Sequence, residues 1–117
     1  MIETTGTGGS AFADAEIPLT DRTFAPGVPA MATAGMFAGA GTAYLRSAGF
    51  DSAPHPAPAR QWVIMLRGTI EVTTSDGDRR QFAPGDLVLA ADTSGRGHTT
   101  VAVGEAPFEA LFIPAEQ

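Results

Sequence analysis

A chain of 117 residues, 44% hydrophobic and 17% charged, has the length and composition of one soluble globular domain. Its net charge of −6 comes from 13 acids against 7 arginines, with no lysine, and excludes nucleic acid and anionic membranes as partners, because both demand clustered cations. The absence of cysteine excludes disulfides, thiolate metal sites and cysteine nucleophiles, and it fits a reducing cytoplasm.

The N-terminus, MIETTGTGGS, has no basic region followed by an apolar run, so it does not read as a signal peptide. Its Gly, Ser and Thr content predicts a flexible leader over residues 1–11, ahead of a domain over residues 12–117. Phe12 to Leu19 reads as a short strand, ended by Pro18 and the turn-prone Thr20-Asp21. Thr23 to Leu45 carries no charge, but it is built of Ala, Gly, Thr and Pro and has few of the large aliphatics of a membrane span. Within it, Phe24 to Pro29 is extended, because Pro26, Pro29 and Gly27 forbid a helix. Met31 to Phe37 and Thr42 to Ser47 read as strands.

Gly49 to Pro58 is a loop whose prolines alternate with other residues. A dense run of strands follows. Gln61 to Leu66 is a buried strand, and Thr69 to Thr74 alternates Ile70 and Val72 with Glu71 and Thr73. Asp76-Gly77 makes the hairpin turn back to Arg79–Phe82. Pro84-Gly85-Asp86 leads into Leu87–Ala91, and DTSGRG leads into His98–Val103. Phe108 to Ile113 is the last strand. Short strands separated by Gly and Pro turns, with no helical period of useful length, predict an all-β sandwich or barrel.

From Gly49 to about Val103 the chain resembles the cupin superfamily. Gly49, His55 and Gly68 fall on the first Gly, first His and last Gly of the first cupin motif. Ala57 stands at its second His and Gln61 at its Glu. In the second motif Gly95 and His98 keep their places, while Thr93 replaces a Pro and Ala102 an Asn. The resemblance implies a single-domain jelly-roll β-barrel of the small, stand-alone bacterial kind, here with an extended N-terminal arm. It also implies that His55, Gln61 and His98 point into the barrel mouth.

Those three residues are the expected catalytic set, with His98 as acid or base and Gln61 orienting a substrate carbonyl or hydroxyl. Val63, Met65, Met36, Tyr44 and Thr100 are the expected substrate-binding residues, the alternative for several of them being plain core. Period-two alternation turns Trp62 and Ile64 to the other face of their strand, where they suit a homodimer. The same trio, His55, Gln61 and His98, is all that remains of the metal ligands the family uses. The expectation is therefore no tightly held cofactor, and at most a loosely held divalent transition metal. Asp51 and Asp92 are further carboxylates within reach of a histidine, although neither falls on a cupin ligand position.

The leading functional expectation is a cytoplasmic enzyme. It would isomerise, cyclise or dehydrate a small molecule in an apolar pocket, with natural-product metabolism as a home by family analogy. A non-catalytic ligand-binding cupin is the alternative, and a metal-dependent oxygenase is a further one.

Overall fold

The computed structural model describes residues 1–16, 18, 20–22, 31–33, 43–50 and 52–115. Every regular element among them is a strand. In chain order these are β1 (Ile2–Thr4), β2 (Ser10–Phe12), β3 (Thr20–Arg22), β4 (Met31–Thr33), β5 (Ala43–Ser47) and β6 (Gln61–Arg67). They continue with β7 (Thr69–Thr74), β8 (Arg79–Phe82), β9 (Leu87–Ala91), β10 (His98–Val103) and β11 (Phe108–Pro114). No helix of the described residues is long and apolar enough to cross a membrane.

The strands form a six-stranded sheet in the order β2-β1-β9-β6-β11-β5, a three-stranded sheet β10-β7-β8, and a separate β3-β4 pair. This is the jelly-roll arrangement of facing sheets, with apolar residues of both turned inward. Alternation decides which side chains face in. On β6, Val63 and Met65 are buried, while Trp62 and Ile64 are only half-buried on the opposite face. On β7, Ile70, Val72 and Thr74 are the buried set. The core joins Val63, Met65, Ile70, Val72, Val88 and Phe108, with Ile2 and Ala110 beside them.

Three expectations need correction. Residues 1–11 are not a free leader: β1 pairs in parallel with β9 through Ile2↔Ala90, and Ile2 is only 2% exposed. Burial of Ile2 and the ladder on β9 outweigh the local glycine content. The strand expected over Phe12–Leu19 ends at Phe12; the following Ala and acidic residues are weak strand formers, and the Ala13 N–H closes on the Met1 carbonyl instead. Thr20-Asp21 is not a turn but part of β3, paired with β4. The extended stretch at 24–29 and residues 34–37 of the expected Met31–Phe37 strand lie outside the described residues.

Candidate functional site

The proline-rich loop before β6 is laid along β10. Pro54, Pro56 and Pro58 have no N–H, so among residues 54–58 only His55 and Ala57 can donate. Both do. The His55 N–H donates to the His98 carbonyl at 3.1 Å, and the His98 N–H returns to the His55 carbonyl at 3.0 Å. The Ala57 N–H donates to the Asp92 carbonyl at 2.9 Å. Further along, the Ser52 N–H reaches the Thr100 carbonyl and the Ala102 N–H reaches the Phe50 carbonyl. The loop is thus an interrupted edge strand, and its spacing brings the two imidazoles together with ring centroids 5.2 Å apart.

Close approach at this bridge requires Gly97. It lies at φ +71°, and a Cβ there would sit 1.9 Å from the His55 carbonyl oxygen. The N-terminal hairpin braces the same loop from the other side. The Thr4 hydroxyl donates to the Ser94 carbonyl, the Arg96 N–H donates to the Gly8 carbonyl, and the buried Ser10 hydroxyl donates to the Gly97 carbonyl at 2.6 Å. Ser10 Oγ also accepts the Ser75 N–H at 2.8 Å. Ser10→Ala is therefore expected to destabilise the fold by about 1–3 kcal/mol, because it strands a buried carbonyl and an amide. Urea unfolding measures this, and a change below about 0.5 kcal/mol, the range of ordinary surface substitutions, would show that the brace carries no weight.

The imidazoles are fixed by different partners. His98 Nδ1 lies 2.5 Å from Oδ2 of Asp92, which is fully buried. His55 Nδ1 lies 2.8 Å from the Ala53 carbonyl oxygen, which can only accept, so the proton sits on Nδ1. Asp92 as a carboxylate holds His98 in the same tautomer. On both rings Nε2 is then the nitrogen with no protein partner among the described residues, and both rings line one cavity. Asp92 Oδ1 is buried without a hydrogen-bond partner, so His98 is the one group compensating that carboxylate among the described side chains.

The cavity has a volume of about 110 Å³. Its wall is apolar: Val63, Ile70, Val72 and Val88 from the sheet interiors, with Phe108 and Phe112 from β11. Phe50 stands edge-on to Phe108 at 5.9 Å between centroids, and Ile2 of the N-terminal strand completes one side. The polar lining side chains are His55, Gln61, His98 and Thr100.

His55, Gln61, His98, Val63 and Thr100 therefore converge on one space. Met65 does not reach it; it is 1% exposed and packs in the core. Tyr44 was expected in the pocket but is 56% exposed, and its hydroxyl hydrogen-bonds Glu109 on the outer surface. That hydrogen bond is the main reason its phenol is held above the usual range. The cause is strand parity: on β5 the neighbouring Leu45 turns inward and lines the cavity. Met36 and Asp51 lie outside the described residues. The residue that sequence reasoning left without a role is Asp92. The aromatic lining was legible in principle, since Phe108, Ala110 and Phe112 alternate along β11.

The family resemblance implies a metal, and the donors do not fit one held as a resident cofactor. Two neutral imidazoles and the Gln61 amide bring no negative charge to offset a divalent cation. Ala57, at the second histidine position, lines the cavity with a methyl group. Asp92 is engaged on His98 Nδ1 and does not line the cavity, and no group of three His, Cys, Asp or Glu side chains gathers among the described residues.

Among solved structures, a Cupin 2 conserved barrel domain protein from Salinispora arenicola CNS-205 is 25% identical, with 86% of this chain and 79% of that chain covered and a TM-score of 0.48. The catabolite activator protein of Thermus thermophilus is 20% identical over 60% of this chain and 37% of its own, with a TM-score of 0.40. No curated protein matches the chain. The family model described as "Cupin domain" matches residues 44–114, more than half of the sequence, and includes both histidines and every cavity-lining residue named above except Ile2. The chain belongs to the cupin family.

Proposed function

We propose that the cavity is the active site of a metal-independent enzyme that moves a proton on a small, largely hydrocarbon molecule, in an isomerase, cyclase or dehydratase reaction. The observation that carries this reading is the fully buried Asp92 bonded to Nδ1 of His98, whose ring lines an apolar cavity and whose Nε2 has no protein partner among the described residues. A buried carboxylate behind an imidazole fixes its tautomer and stabilises the imidazolium that forms when Nε2 takes a proton. His98 Nε2 takes a proton from a carbon next to a substrate carbonyl. The Gln61 amide donates a hydrogen bond to that carbonyl oxygen as charge builds on it. Imidazolium His98 then returns the proton to another carbon, giving an isomer, or to a departing hydroxyl, giving water and an alkene. His55, 5.2 Å away between centroids, is the second site at which a proton can be received. A cysteine-free chain suits a cytoplasmic setting for such chemistry.

The test uses a panel of small enolisable ketones incubated with the protein in D2O and analysed by mass spectrometry. Wild-type protein is expected to incorporate deuterium next to the carbonyl of at least one of them well above the rate with His98→Ala. Incorporation at the same rate with both proteins would contradict the proposal, and ligands that bind but return unchanged would point to a non-catalytic binding cupin.

A further inference from the structure

We infer that this cavity selects uncharged, ring-sized hydrocarbon bodies that carry a hydroxyl or an enolisable carbonyl, and that it rejects carboxylates and phosphates. The inference deepens the proposed function by naming the substrate class of the same site, and it rests on that reading for its biological meaning.

Charge is the first argument. No Arg, Asp or Glu side chain lines the cavity among the described residues, and the chain has no lysine. An anion entering would lose its hydration and gain no cation, a large penalty in an apolar setting. The buried Asp92 carboxylate behind His98 adds a repulsive charge. A phosphate or carboxylate handle, the commonest anchor of water-soluble metabolites, therefore has nothing to hold it.

The second argument is hydrogen-bond polarity. Nδ1–H of each ring is already spent, on Asp92 and on the Ala53 carbonyl. The ring nitrogen left on each of these cavity-lining histidines is thus an Nε2 lone pair, which accepts and does not donate. The matching group on a ligand is a hydroxyl or another proton donor. Gln61 can donate its amide N–H and so accommodates a carbonyl oxygen beside it.

Shape is the third argument. Phe50, Phe108 and Phe112 line a cavity of about 110 Å³. An engineered apolar cavity of ~150 Å³ takes up a benzene ring, so one ring matches this space, with the polar substituent at the histidines. Phe50 and Phe108, edge-on to each other, favour a flat occupant that can continue the aromatic packing.

The experiment compares three probes of similar shape, p-cresol, toluene and p-toluate, by NMR titration of the metal-free wild-type protein at pH 8. Binding is read from the imidazole signals of His55 and His98. The expected order is p-cresol tightest, toluene several-fold weaker, and p-toluate at least tenfold weaker than p-cresol. In His98→Ala the advantage of p-cresol over toluene is expected to shrink at least threefold. Equal or tighter binding of p-toluate would overturn the charge argument, and equal binding of toluene and p-cresol would overturn the acceptor argument. If none of the three perturbs the histidines at millimolar concentration, the ligand class is wrong. The binding order is read without turnover. It therefore stands or falls separately from deuterium exchange: selective binding without exchange would sink the proposed enzyme and leave the ligand class intact.

Discussion

Substituting His98 by alanine is expected to lower proton-transfer turnover by about 10²–10⁴-fold, the range contributed by a positioned general base. The substitution removes Nε2 from the cavity and leaves Asp92 buried without its partner. Stability is therefore expected to fall too, by about 1–3 kcal/mol or more, because a buried charged acceptor is left without its hydrogen-bond donor. Asp92→Asn separates the two effects. An amide in that place keeps the volume but can donate to Nδ1, which would turn the ring to the other tautomer and place a proton on Nε2. Turnover is expected to drop on the order of 10²-fold or more while the ring still lines the cavity. The double variant D92N/H98A is expected to recover part of the stability lost in H98A and none of the turnover. Steady-state rates with urea unfolding on the same preparations check all three. If D92N turned over at the wild-type rate, Asp92 would be a structural acid only.

Gly97→Ala is expected to be the most destabilising Gly→Ala change among the described residues. The residue sits at φ +71°, a left-handed conformation that costs a side chain about 1–2 kcal/mol. Its new Cβ would fall 1.9 Å from the His55 carbonyl oxygen, and the nearby atoms are backbone, which cannot rotate away. Relief requires separating the loop from β10, and so breaking the reciprocal His55–His98 backbone bonds. The expected total is more than about 3 kcal/mol, from strain, steric overlap and two lost backbone hydrogen bonds. Gly77→Ala is the internal control. It has φ +85° and open space at its Cβ, so only the conformational strain of about 1–2 kcal/mol is expected. Equal unfolding midpoints for G97A and G77A would show that the loop is not held against β10 in this way.

How far the sequence carried can be traced to the range of the forces involved. Strands β6 to β11 were legible within a residue or so, because each alternates and is bounded by Gly, Pro or Asp-Gly turns, all local signals. The pairing of His55 with His98 was also within reach, through motif spacing. The N-terminal strand was not: its residues are Gly- and Thr-rich, and what orders them is tertiary, a parallel ladder on β9 and a Ser10 hydroxyl that accepts from the Ser75 N–H and donates to the Gly97 carbonyl. Tyr44 failed on parity alone, since a one-residue shift on a short strand exchanges Tyr44 for Leu45. Asp92 was visible as a nearby carboxylate and no more. Nothing local announces that an acid at the end of β9 will be fully buried against an imidazole, and that contact is what turns two histidines into an ordered pair.

The central claim is that Asp92 and the Ala53 carbonyl hold both cavity-lining rings with the proton on Nδ1 and leave Nε2 free to accept. Long-range 1H–15N NMR of the imidazoles in metal-free protein at pH 8 tests it most directly. The account predicts a protonated Nδ1 and an unprotonated Nε2 on both histidines, with the His98 Nδ1–H proton far downfield and lost in D92N. A His98 ring protonated on Nε2, or one whose signals do not respond to D92N, would contradict it.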